Sequence, residues 1–124
     1  MKLSVIIPIF NEELNIKPLY DRLKKVISEI SLSHELIFIN DGSQDNSIQL
    51  IKELAVQDPS IKFIDLSRNF GHQIAVTAGI DKAIGNAIVI IDADLQDPPE
   101  LIFELYKKLE EGYHVVYAKR KKRM

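Results

Sequence analysis

Two aspartates one residue apart, Asp92 and Asp94, stand at the end of an apolar run, Ile88 to Ile91. A short β-branched run bounded by Gly85 and Asn86 on one side and by acids on the other reads as a buried strand. Side chains two apart in extended chain point to the same face, so the two carboxylates lie side by side where the strand meets solvent. Like charges that close oppose each other's ionisation unless a cation lies between them. Hard divalent cations such as Mg²⁺ prefer oxygen ligands and often take one or two carboxylates plus substrate phosphates. Gln96 follows with a neutral oxygen. The same triplet is also compatible with a solvated acidic loop that caps a helix.

The elements around this pair place it. Asp97, Pro98 and Glu100 suit a helix start with a capping box, Leu101, Leu105 and Leu109 recur at helical spacing, and Gly112 fits a C-cap. The acids therefore fall between a buried strand and a helix start, the end of an open α/β sheet where ligands bind. Further back, Leu3–Ile9 reads as a buried first strand. Phe10, Asn11 and Glu12 form a turn after it, and a helix with Leu19, Leu23, Val26, Ile27 and Ile30 on one face follows. Leu36–Ile39 is a second strand ending in Asn40, Asp41, Gly42 and Ser43, before a helix bearing Ile48, Ile51, Leu54 and Ala55. Ile61–Leu66 is a third strand, and Arg68 and His72 lie in the loop after it. Ala75, Val76, Ala78, Gly79 and Ala83 make a small-residue helix suited to close packing on a sheet. Val115–Ala118 begins a fifth strand.

Strict alternation of strand and helix implies an α/β fold of Rossmann-like kind, a mostly parallel sheet with helices on both faces. The polar clusters all follow strands, so they converge on one sheet edge. Asn11, Glu12 and Asp41 are equally readable as caps and turn residues. Arg68 suits either a phosphate or a surface acid, and His72 reads as structural or exposed. No GxGxxG follows the first strand and no GxxxxGK[ST] occurs, so the dinucleotide and P-loop phosphate grips have no support.

Composition narrows the classes further. The chain has 124 residues, enough for the single domain expected over 1–124, with 46% hydrophobic and 27% charged residues. It has no cysteine, and its three histidines are far apart, which excludes disulfides, thiolate sites and zinc-type spacing. No apolar run approaches the roughly 18 residues a membrane span needs, and no signal-peptide pattern is evident at the N-terminus. The net charge is −2, but Lys119, Arg120, Lys121, Lys122 and Arg123 hold five of the sixteen basic residues. An acidic body without a basic stripe argues against nucleic acid. A basic end can seek phosphates or an anionic membrane surface, or simply be a solvated tail.

Taken together, VIIPIFNEE, FINDGSQDNS, SRNFGHQIAVTAGID and IDADLQDPPE resemble the nucleotide-binding half of a family-2 glycosyltransferase. More closely, they resemble the polyprenyl-phosphate branch, which includes dolichol-phosphate mannosyltransferase-like enzymes. The resemblance spans Leu3 to Arg120. It implies a GT-A fold and a nucleotide-diphosphate sugar donor, UDP preferred over GDP. Pro8, Phe10, Asn11 and Glu12 would line the nucleoside pocket and Asp41 would read the base. Asp92, Ala93 and Asp94 would meet the diphosphate, the two aspartates holding Mg²⁺ or Mn²⁺. Gln96 would assist at the metal, making Asp92, Asp94 and Gln96 the catalytic set, and Arg120 would meet the donor phosphates.

The implied acceptor is a polyprenyl phosphate on the cytoplasmic face of the membrane. A phosphate monoester with a second pKa of about 6 would attack as a dianion without a strong general base. Family members run beyond this length into an acceptor-binding part, and this branch often adds membrane helices. This chain is therefore expected to be an N-terminal, donor-binding part that binds nucleotide without efficient transfer; a homo-oligomer is compatible with the sequence, which does not fix the oligomeric state. Three other readings stay open: a catalytically silent nucleotide-binding module, a receiver-like Mg²⁺-binding domain and a nucleotidyltransferase.

Overall fold

The computed structural model describes residues 2–30, 33–94, 104 and 115–117. Its elements run β1 (Lys2–Ile9), α1 (Ile16–Ile30), β2 (Ser33–Asn40), α2 (Ser47–Gln57), β3 (Ile61–Asp65), α3 (His72–Lys82), β4 (Ala87–Ile90) and β5 (Val115–Tyr117). The expected strands and the first three helices are all present. The helix expected after Pro98 falls outside the described residues, apart from Glu104, which is helical.

The sheet order is β3-β2-β1-β4-β5, and every pairing is parallel. β1 is central because, Lys2 and Ser4 apart, it is apolar, and it is buried from Leu3 to Ile9. It pairs with β2 from Lys2↔Ser33 to Ile9↔Asn40 and with β4 from Leu3↔Ala87 to Ile6↔Ile90. The period-two alternation of side chains sorts it into two layers. Leu3, Val5, Ile7 and Ile9 join Leu36, Phe38, Val89 and Ile91 against Leu19, Leu23, Val26 and Ile27 of α1 and Ile51 and Leu54 of α2. Ile6, with Ile37, Ile39 and Ile90, packs on Ala75 and Val76 of α3. Each such aliphatic side chain removed from water contributes about 1.5–3 kcal/mol before entropy is charged against it.

α3 lies close to the sheet because it carries small residues where it crosses. A Cβ built on Gly79 would stand 2.6 Å from Ile6 Cγ2 and 2.7 Å from Ile39 Cδ1, so any larger residue must push the helix away.

The chain steps outward from β1 to β2 to β3, then returns past both to β4. Right-handed crossovers put α1 and α2 on one face for the outward steps and α3 on the other for the return. The order therefore reverses between β1 and β4, and their C-terminal ends diverge there into a crevice, the usual ligand position in such sheets.

Candidate functional site

A cleft of about 460 Å³ opens at that reversal. Pro8, Phe10 and Glu12 line it from the end of β1, Asp41 from the end of β2, and Asp92, Ala93 and Asp94 from the end of β4. Patterning singles out Asp92 and Asp94; Pro8, Phe10, Glu12, Asp41 and Ala93 are expected here only through the family resemblance. Asn69, Gly71 and His72 complete the wall from the loop before α3. Gln96 and Arg120 lie outside the described residues.

Asn11 does not line the cleft. It is the one non-glycine among the described residues with a positive φ, 52°, a conformation asparagine tolerates better than most residues. Its Oδ1 accepts from the Gln44 amide at 2.8 Å, and its own N–H donates to Ser43 Oγ at 2.9 Å. The Glu12 and Glu13 amides donate to Ser47 Oγ and Asp45 Oδ2 at 3.1 and 3.2 Å. These bonds lock the β1–α1 loop to the β2–α2 loop. They also redistribute the expected caps. Asn46 occupies the N-cap of α2 without a side-chain bond, while Asp45 Oδ1 accepts from the Ser47 amide at 2.9 Å. Burial pushes the Asp45 carboxyl up, but its bonds with Ser47 and the Glu13 amide outweigh that and hold it below the usual carboxylate range.

Asp41 is buried, at 3% exposure. Its carboxylate accepts from the Phe70 amide at 2.7 Å, the Gly71 amide at 3.0 Å and Asn69 Nδ2 at 3.2 Å. This strand-end acid organises the loop after β3 while also facing the cleft. Gly42 beside it has φ +71°, and a Cβ there would fall 2.3 Å from the Asn69 backbone nitrogen. Only glycine permits that approach. Arg68 stacks on Phe70, its guanidinium carbon 4.2 Å from the ring centroid, so the cation expected at a phosphate or an acid is placed over an aromatic face.

Negative charge accumulates at the rim of β1 and β4. Burial pushes the Glu12 carboxyl up; a hydrogen bond from Asn15 opposes this, and repulsion from Asp94, Asp45 and Asp92 adds to it. At the other wall, His72 Nε2 lies 2.9 Å from Asp92 Oδ1. From sequence His72 reads as structural or exposed; the structure brings it onto the acid pair at Asp92. Its signal was its place at the head of a helix whose loop ends at the same sheet edge as the acids.

Among the described residues no group of three or more acids and histidines is arranged to hold a metal ion. Mg²⁺ usually dehydrates reluctantly and binds through one or two carboxylates plus substrate phosphates. Two hard oxygen donors at a solvent-facing rim, in a field that already raises a neighbouring carboxyl, fit such an ion better than they fit a closed protein cage.

The Glycosyl transferase family 2 profile matches residues 4–124. An uncharacterized glycosyltransferase of Bacillus subtilis (strain 168), YkcC, is 59% identical over 97% of this chain and 37% of its own length. A prophage bactoprenol glucosyl transferase homolog of Escherichia coli (strain K12) is 44% identical over 99% of this chain and 40% of its own length. The chain thus spans well under half of these curated relatives. In structure it is similar to residues 1–349 of Staphylococcus aureus TarS in complex with UDP, with a TM-score of 0.70 and 25% identity over 90% of this chain and 32% of that one. It is also similar in fold to the Pyrobaculum calidifontis mannosyltransferase PcManGT in complex with GDP-Man and Mn²⁺, with a TM-score of 0.65 and 22% identity over 74% of this chain and 27% of that one.

Proposed function

The chain belongs to glycosyl transferase family 2, and from that premise we propose that it forms the donor-binding part of an enzyme moving a sugar from a nucleotide diphosphate to a polyprenyl phosphate. The observation that carries the reading is the convergence of Phe10, Glu12, Asp92 and Asp94 on one crevice between β1 and β4. Relatives named bactoprenol glucosyl transferase and undecaprenyl-phosphate 4-deoxy-4-formamido-L-arabinose transferase support the acceptor class. UDP in TarS supports the donor class.

In this reading Pro8 and Phe10 flank the nucleoside and Asp41 faces its base. Phe10 is 48% exposed, an aromatic face available for a ring to cover. Asp92 and Asp94 hold Mg²⁺ or Mn²⁺ together with the donor diphosphate, and Gln96 and Arg120 add a neutral oxygen and a cation beside it. The ion, when bound, offsets the charge that develops on the leaving diphosphate. Asp92 and Asp94 fix where that charge is met, and the apolar strand ends behind them exclude water. The attacking oxygen belongs to the acceptor phosphate, so none of the acids has to act as a strong base.

No described helix is long and apolar enough to cross a membrane. A polyprenyl phosphate acceptor would bring the enzyme to the cytoplasmic membrane face.

Calorimetry with UDP and GDP, each with and without Mn²⁺, tests the proposal. Metal-dependent binding of UDP, tighter than GDP, is the expected result. Nucleotide binding that ignores the metal, or none at all, defeats the proposal.

A further inference from the structure

His72 has no role in the proposed chemistry, yet it touches one of the two residues on which that chemistry turns. It is the first residue of α3, and the loop delivering it is fixed from two directions. The Phe70 and Gly71 amides are held by the buried Asp41 carboxylate at 2.7 and 3.0 Å. Gly71 itself turns the chain at φ 104°. Behind His72, α3 is seated on the sheet through Gly79. The imidazole is thus presented from a rigid base, and its Nε2 reaches Asp92 Oδ1 at 2.9 Å.

An ionised carboxylate only accepts hydrogen bonds, so Nε2 carries the proton of this bond. Asp92 is 24% exposed at its side chain and His72 51%. The contact therefore sits on the wall of the cleft, where ligand can reach it. A side chain at a strand's frayed end has freedom to rotate away from a ligand. A donor on one carboxylate oxygen removes that freedom and leaves the second oxygen for a ligand.

We infer that His72 is a positioning residue for Asp92, clamping Oδ1 so that Oδ2 is held ready for the divalent cation of a nucleoside diphosphate. The inference rests on reading Asp92 and Asp94 as the cation site. Hydrogen-bonding partners of metal-ligating carboxylates typically change metal affinity by about 10–100-fold when removed. A half-exposed partner belongs at the lower end.

The test is a titration of the 124-residue chain with Mn²⁺ in the presence of UDP, free Mn²⁺ being counted by electron paramagnetic resonance. His72→Ala should weaken Mn²⁺ binding about 10-fold. His72→Gln, whose amide N–H can stand near the Nε2 position, should restore most of the loss. In an Asp92→Ala background, His72→Ala should cost nothing more, because the two residues act as one unit. Parental affinity in His72→Ala overturns the inference. Equal damage from Ala and Gln also overturns it, by making the imidazole itself a ligand. Both outcomes leave the acid pair standing. An Asp92→Ala chain that binds Mn²⁺ as the parent does removes the acid pair and the inference together.

Discussion

Glu35 sits at the N-terminal end of β2 and Asp92 just past the C-terminal end of β4, and these two sheet ends treat carboxylates differently. At the N-terminal end each buried acid is answered by donors. Glu35, 2% exposed, accepts from Ser4 Oγ at 2.6 Å and the Ile84 amide at 2.7 Å, with Lys62 Nζ 2.6 Å from its other oxygen. Burial pushes its carboxyl up, but the bonds from Lys62, Ser4 and Ile84 win and hold it lowered. Asp58 behaves alike. It is held far below the usual range, despite burial, by Tyr20, Ser60 and Lys24, and burial together with that bond pushes the Tyr20 phenol up to about 12. At the C-terminal rim of β1 and β4 Glu12 is instead raised, by burial first and then by repulsion from Asp94, Asp45 and Asp92, against the bond from Asn15. Acids answered by donors, Asp41 at the C-terminal end among them, hold segments together. The acids gathered at the rim of β1 and β4 suit a cation from outside.

Substitutions can break this contrast, and the largest effect belongs to the repelling end. Asp94→Ala should abolish metal-dependent UDP binding, a loss of at least ~100-fold since outer-shell losses alone reach that. The variant should still be folded at the temperature of the binding measurement. Calorimetry and a melting curve check both halves. A chain that still binds UDP with Mn²⁺ would dissolve the distinction between the two ends.

Next comes Glu35→Ala, which leaves Ser4, the Ile84 amide and Lys62 without their acceptor. Urea unfolding should show a loss of about 3 kcal/mol. Mn²⁺ affinity at temperatures where the variant stays folded should be unchanged.

Acid titration sharpens the contrast more gently. Glu35 and Asp58 have folded pKa values below their unfolded ones. Their stabilisation is complete above the unfolded values, near 4 to 4.5, and is lost as pH falls through the folded values. Glu12 runs the other way, since its raised pKa makes stability fall as pH climbs from about 4.5 through the folded value. Unfolding curves between pH 3 and 7 should therefore steepen on the acid side in the parent and flatten there in Glu35→Gln. Added Mn²⁺ should raise the melting point more at pH 7 than at pH 4.

The smallest expected effect is at Asn11. Replacement by Ala removes the bond to the Gln44 amide and leaves an unfavourable positive φ, together about 1 kcal/mol. Asn11→Gly should cost less than the alanine change, as chemical denaturation can measure.

Much of this was readable from residue order. The runs at Leu3–Ile9, apolar apart from Ser4, and Leu36–Ile39 read as buried strands, and Ala75, Ala78 and Gly79 announced a helix packed close to a sheet. The acid pair was legible because its strand, period and exit all lie within one short stretch. The His72–Asp92 contact was not, since it joins residues twenty positions apart through a crossover whose geometry no local pattern states. Glu35 was hidden for the opposite reason. A charge beside His34 at a strand's start looks solvated, and its partners Ser4, Lys62 and Ile84 come from three other segments. Asp41 was visible as a strand-end acid, but its engagement with the backbone of residues 70 and 71 needed coordinates.

Gly42 meets the Arg68–Asn69 backbone so closely that no side chain fits between them, and Asn40 Nδ2 bonds Asp65 Oδ1 at 2.9 Å just below. The two turns are in effect one piece. Anyone swapping the segment around Arg68 between homologues to alter donor preference would have to transplant residues 40–46 with it, as a matched cassette.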